Sequence, residues 1–232
     1  MNYRLPAVLL GCALMLGACA STPNTPQARA EDTAEAQGRV DKAVAVVDQM
    51  KTDPSANALL REARGVMVVP DYGKAGFIVG GQGGVGVLMA RHGGEWSDPA
   101  FFTIGGLSIG LQAGGEVGSI AYVLMTEKAV DAFESHTNKF TLGADAGLTV
   151  VSYTGNATIA ATTPPADVVV WSGAKGLFGG VSVGATDVVQ NTKLDESYYQ
   201  GFVNTRQILA GQVTNPHAHD LRVALNTRVA SK

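Results

Sequence analysis

The spacing of apolar residues changes its period several times along this chain. Residues 5–16 form an almost unbroken apolar run, with one charge ahead of it at Arg4 and Leu16-Gly17-Ala18-Cys19 at its end. Over 30–51 the spacing becomes helical. Val40, Ala43, Val44, Val47 and Met50 fall on one face, with Arg39, Asp41, Lys42, Asp48 and Gln49 opposite. Asp53-Pro54 then reads as a cap followed by proline at the first helical position, opening a short helix through Leu59, Leu60 and Ala63 that stops at Gly65. From there the pattern turns to strands. Residues 66–69 predict a short buried strand ended by Pro70, and Asp71-Tyr72-Gly73-Lys74 a turn. Further strands are predicted over 77–89, 101–109, 119–125, 148–153, 168–171 and 177–189, with helices over 126–136, 195–211 and 216–229. Repeated Gly-Gly pairs inside the strands call for bends, bulges or close backbone approach. The predicted fold is therefore α+β: a glycine-rich, strongly curved antiparallel sheet or partial barrel with helices at the N- and C-terminal ends.

The first apolar run has the form of an export signal. It is too short to span a bilayer as a helix, and small residues precede Cys19, where a peptidase needs an extended, unobstructed chain. Leu-Gly-Ala-Cys is moreover the form of a lipoprotein signal, in which the cysteine is lipidated and becomes the new N-terminus. Cys12 also follows small and apolar residues, but a cut there would leave too short an apolar core. Of the two cysteines, cleavage removes Cys12, so no disulfide can form within the mature chain. Ala20, in place of an aspartate, matches lipoproteins sorted to the outer membrane. The expected organisation is a lipoprotein signal peptide over 1–18, a lipidated polar tether over 19–29 and one domain over 30–232. Its location would be the bacterial cell envelope, facing the periplasm or the surface.

Composition narrows the classes further. With 46% hydrophobic residues and a net charge of −3, the chain is globular and has no bulk attraction for nucleic acid. Aromatic residues are only 6%, and the ends are helical in pattern, which counts against a transmembrane barrel with aromatic girdles.

Several motifs bear on chemistry. Gly81-Gln82-Gly83-Gly84-Val85-Gly86 fits the dinucleotide spacing, yet no helix pattern follows to supply amides for a pyrophosphate. Ser108 and Ser182 each sit in G-x-S-x-G, but within strand-like sequence rather than before a helix, as a nucleophile elbow requires. A serine hydrolase using one of them, with His217 or His219 downstream, is the weakest of three functional alternatives. His217-Ala218-His219-Asp220 suggests a metal only if a loop turns the imidazoles together. The expectation is no metal, no cofactor and no enzyme.

More specific are six phrases in order: Gly65-Val66-Met67-Val68-Val69-Pro70 with Lys74-Ala75-Gly76-Phe77; Gly83 to Gly86 running into Arg91; Trp96-Ser97-Asp98-Pro99; Gly110-Leu111-Gln112-Ala113-Gly114-Gly115-Glu116; Leu142-Gly143-Ala144-Asp145; and Lys175-Gly176-Leu177-Phe178-Gly179-Gly180-Val181-Ser182. Over about residues 30–211 the chain resembles the SYLF domain, also called the Ysc84-type actin-binding domain. The resemblance implies a lipid-binding module of phospholipid or phosphoinositide type rather than an enzyme, with membrane contact through the N-terminal segment. The matching positions are Arg39, Lys42, Val44, Val47, Lys51, Arg61 and Arg64. Asp41, Asp48, Asp53 and Glu62 lie among them, so the field is mixed. Expected partners are membrane lipid or, alternatively, an envelope protein or host factor bound by a structural lipoprotein. Glu116, Asp145 and Lys175, polar groups in glycine-rich sequence, fit either a buried network or a headgroup site.

Overall fold

The computed structural model describes residues 25–135, 139–153, 166–173 and 186–226, with the backbone alone at 74–80 and 107–116. Helix α1 spans Pro26–Lys51, with Thr25 as its cap accepting the Ala28 N–H. It thus begins inside the stretch read as tether, because threonine followed by proline is a helix start as well as a linker composition. Helix α2, Pro54–Glu62, is capped as expected by Asp53, whose carboxylate accepts from Ser55 and Ala56 N–H.

Strand β1 runs without a break from Gly65 to His92, correcting the expected end at Pro70 and the turn after it. Pro70 has no N–H to give to a ladder, and the chain accommodates it with a register shift between Val69 and Tyr72 rather than by stopping. A two-residue strand β2, Glu95–Trp96, folds back on its end. Strand β3, Ala100–Leu124, absorbs both strands predicted over 101–125 and pairs antiparallel with β1 from Leu88↔Ala100 to Gly65↔Leu124. Helix α3 is Glu127–Ser135. Short strands follow: β4 Lys139–Thr141, β5 Val150–Ser152, β6 Val168–Ser172 and β7 Asp187–Gln190. The order is β2-β1-β3-β6-β5, with β7 pairing β3 and β4. All pairs are antiparallel except β5 with β6, a departure from the purely antiparallel expectation. The predicted C-terminal helix divides into α4, Thr192–Tyr199, and α5, Thr205–Leu209, because Gln200 takes a left-handed conformation at the end of α4. A 3-10 turn, Pro216–Ala218, leads into α6, His219–Asn226.

The β1–β3 ribbon curls until its two ends meet. Arg91 N–H donates to Arg64 O at 2.7 Å across that seam. Close approach of this kind requires glycine: a Cβ on Gly84 would stand 2.7 Å from both Asp71 O and a Val69 methyl. The alternating side chains then serve two cores. Val66, Val68, Met89, Phe101, Val123 and Trp171 face α1, α2, α4 and α6. Met67, Val69, Leu88, Phe102, Tyr122 and Val170 face the inside of the curl with α3 and α5. With both faces covered, the strands read as nearly continuous apolar runs.

Candidate membrane-facing surface

Helix α1 is the framework on which the expected lipid contacts would lie. Its apolar stripe turns inward: Val40, Ala43, Val47 and Met50 are buried in the core. Val44 is half-buried against the same cluster. Val44 and Val47, expected to offer apolar surface to lipid, pack on this core, since an amphipathic helix docked on a sheet uses its stripe for the sheet.

The charged positions are engaged with one another. Arg39 lies 3.0 Å from Asp71 and 3.3 Å from Glu35, and Lys42 lies 2.7 Å from the same Asp71 oxygen. Asp71, at the β1 bulge, thus fastens the curl to α1. Lys51 pairs with Asp48 at 2.9 Å and Arg64 with Glu127 at 3.5 Å. Arg61 is exposed, and its carbonyl accepts from the Arg91 guanidinium at 2.9 Å. Hence Lys42, Arg61 and Arg64 present cations to solvent within a mixed field, not a basic stripe. Exposed pairs of this sort are held weakly and exchange partners readily.

Three further acids stitch helices to the sheet behind this surface. Asp53 accepts from the Tyr153 hydroxyl at 2.8 Å as well as capping α2. Burial pushes its pKa up, but the hydroxyl and the two N–H groups outweigh that and hold it below the ordinary carboxylate value. Asp98, in the hairpin after β2, is buried and pairs with Arg222 of α6 while accepting the Asn215 N–H. Burial raises its pKa in spite of both partners. Asp195 of α4 is fully buried, accepting from Phe101 N–H at 2.9 Å and from the Gln190 amide at 3.2 Å, and burial pushes it up to about 7. Sequence reasoning missed Asp71, Asp98 and Asp195 as anchors because they join segments far apart along the chain.

The other candidate motifs resolve as structure. Gly81 to Gly86 lies in mid-strand in β1, with no helix following. Ser108 lies in β3 opposite Gly80, and the strand continues to Leu124, so no strand-turn-helix elbow forms there. Glu116 faces Lys74 in register across the ribbon. Asp145 is exposed and closes a turn by accepting the Thr141 N–H at 2.8 Å, so it belongs to no buried network. His217 stands 2.9 Å from Asp41 of α1, while His219 opens α6. Among the described residues no cluster of three or more histidines, cysteines or acids is placed to hold a metal, and no helix is long and apolar enough to cross a membrane. Cys19, Lys175 and Ser182 lie outside the described residues.

Where α1 begins, its first two turns and α4 border an open groove of about 580 Å³, lined by Ala28, Arg29, Asp32, Lys193, Glu196 and Phe202 among others. Thr33 Oγ1 donates to Ser197 O at 3.0 Å, and Lys193 pairs with Asp32 at 2.9 Å, tying its two walls together.

Comparison with known proteins gives consistent matches. The Ysc84 family, described as Las17-binding protein actin regulator, matches residues 105–228. An SH3 domain-containing protein of Schizosaccharomyces pombe, PJ696.02, is 31% identical over 177 residues, covering 74% of this chain and 41% of that protein. LAS seventeen-binding protein 3 of Saccharomyces cerevisiae is 31% identical over 166 residues, 70% of this chain and 36% of the relative. SH3 domain-containing YSC84-like protein 1 of Bos taurus is 30% identical over 175 residues, 73% of this chain and 50% of the relative. The chain thus spans half or less of the length of these relatives. No solved structure matches.

Proposed function

This chain belongs to the Ysc84 family, and from that premise we propose that it is a non-enzymatic, membrane-anchored lipid-binding module of the bacterial envelope, held by lipid on Cys19. The observation that carries the reading is the Leu16-Gly17-Ala18-Cys19 signal, which ends six residues before the α1 cap at Thr25. One acyl chain gives marginal membrane residence and two or more give stable anchoring, and a contact from the domain itself adds to either. With the α1 stripe committed to the core, that contact is electrostatic. Arg39, Lys42, Lys51 and Arg64 meet lipid headgroups by exchanging their present carboxylate partners for phosphate, and the exposed Arg61 joins them.

Vesicle flotation of the full chain and of its Cys19→Ser variant, on neutral and anionic vesicles at two salt concentrations, tests this. The Cys19→Ser protein is expected to float with anionic vesicles at low salt and to come off at high salt. Adding Lys42→Glu and Arg61→Glu should weaken it further. Wild-type protein that carries no lipid and floats with neither vesicle sinks the reading.

A second reading draws on the relatives' names. The yeast relative is named for binding LAS seventeen, a protein, which favours a protein partner for this domain too, an envelope protein or a host factor. Under that reading the Cys19→Ser chain ignores vesicles at every salt concentration and co-purifies with a defined protein.

A further inference from the structure

Phe202 is 90% exposed, the most exposed large apolar side chain among the described residues and the only aromatic one so exposed. Its position is imposed by the backbone. Gln200 ends α4 in the left-handed region, Gly201 N–H bonds back to Glu196 O at 3.1 Å, and the chain then turns outward before the Asn204 cap of α5. Phe202 lines the groove shared with Ala28 and Arg29, one turn into α1. An exposed aromatic ring held outward by a helix cap suits burial at the boundary between lipid headgroups and acyl chains.

The chain before α1 says which phase. Thr25 follows Cys19 by six residues, a segment that reaches at most about 20 Å when fully extended. One helical turn adds only about 5 Å to the groove. We propose that on an uncharged bilayer the α1–α4 end, with Phe202 at its tip, is the membrane-proximal pole of the domain, and that the Phe202 ring enters the bilayer interface. The inference rests on the lipidation of Cys19 proposed above. The groove's charges oppose one another, Arg29 and Lys193 against Asp32 and Glu196. The contact is therefore apolar and independent of lipid headgroup charge and salt, unlike the electrostatic contact proposed for the cations along α1 and α2.

The test uses the full, lipid-modified chain reconstituted on zwitterionic vesicles whose lipids carry bromine on the acyl chains, which quenches tryptophan on contact. Phe202→Trp places the reporter at the tip, where high exposure leaves room for it. Val223→Trp, at a half-exposed site on α6, is the control: α6 follows the turn in which His217 meets Asp41, about 24 Å along α1 from Thr25. Trp96 and Trp171 are buried and serve as the internal baseline. The expected result is a blue shift and loss of emission for the Phe202→Trp protein at low and high salt alike, with the Val223→Trp control unchanged. If the Phe202→Trp protein floats with the vesicles but its tip reporter is not quenched, or if the Val223→Trp control is quenched equally, the membrane-proximal pole is overturned and the Cys19 anchor stands. Protein that fails to float overturns both.

Discussion

At Asp195 a fully buried carboxyl group receives hydrogen bonds from Phe101 N–H and the Gln190 amide, yet burial dominates and holds its pKa at about 7. Because this folded value exceeds the ordinary 3.8, the folded state binds more protons than the unfolded chain between about pH 4 and 7. Stability from this group is therefore fully present below that window and is lost as pH rises through it, by an amount on the order of 4 kcal/mol. Asp195→Asn keeps an acceptor for Phe101 and removes the titration. Between pH 4.5 and 7.5 the urea midpoint should fall in the wild type and fall by clearly less in the variant, where Asp98 still titrates; an equal fall in both would refute the assignment. Asp71 makes a different prediction. Its carboxylate is part-exposed and binds both Arg39 and Lys42, so Asp71→Asn should cost no more than about 1 kcal/mol. Under the proposed headgroup contact it should also strengthen flotation with anionic vesicles, since two cations lose their competitor; unchanged or weaker flotation would count against that contact. Neither role was legible in the sequence. Asp71 stands among turn-forming residues, and its partners lie 29 and 32 positions earlier, beyond any local pattern. Asp195 looks like an ordinary first-turn acid until the sheet covers it.

The helices were the most legible elements, because apolar residues at three- and four-residue spacing must share a face and the caps at Asp53 and Pro54 are local. The strands were legible as β structure but not in extent. Pattern reading ended them at Pro70 and between 109 and 119, whereas β1 and β3 each run on past these points. Glycine and proline weaken a strand signal, yet here they bend it without breaking it. At Gly84 the curl leaves no room for a side chain, so Gly84→Val should lose about 1–3 kcal/mol or fail to close the curl, read as a lowered thermal midpoint. The C-terminal helix α6 is docked by buried Leu221 and Ala224 and by one ion pair. Arg222→Ala leaves the Asp98 carboxyl buried without its cation, a loss of about 3 kcal/mol, and adding Asp98→Asn should restore part of it by removing the titratable group while keeping an acceptor for Asn215. A double variant no more stable than the single one would show that the pair is not what docks α6.

For the whole molecule, the α+β class and the curved sheet follow from the order of helical and glycine-rich segments. The inward commitment of the α1 stripe did not, because an amphipathic face looks the same whether a sheet or a bilayer receives it. The Arg64–Arg91 seam that closes the ribbon also has a kinetic consequence. Pairing between β1 and β3 begins next to the Gly93-Gly94 turn, where partners are near neighbours in sequence. It ends at Gly65↔Leu124, where they lie far apart. Such a ribbon zips outward from its turn, with the smallest loop to close at the start, and the seam is the last contact to form. Lesions at the turn should then slow refolding. Lesions at the seam should leave refolding nearly untouched and hasten unfolding instead, so the lifetime of the folded protein is set at the place where the ribbon's two ends touch.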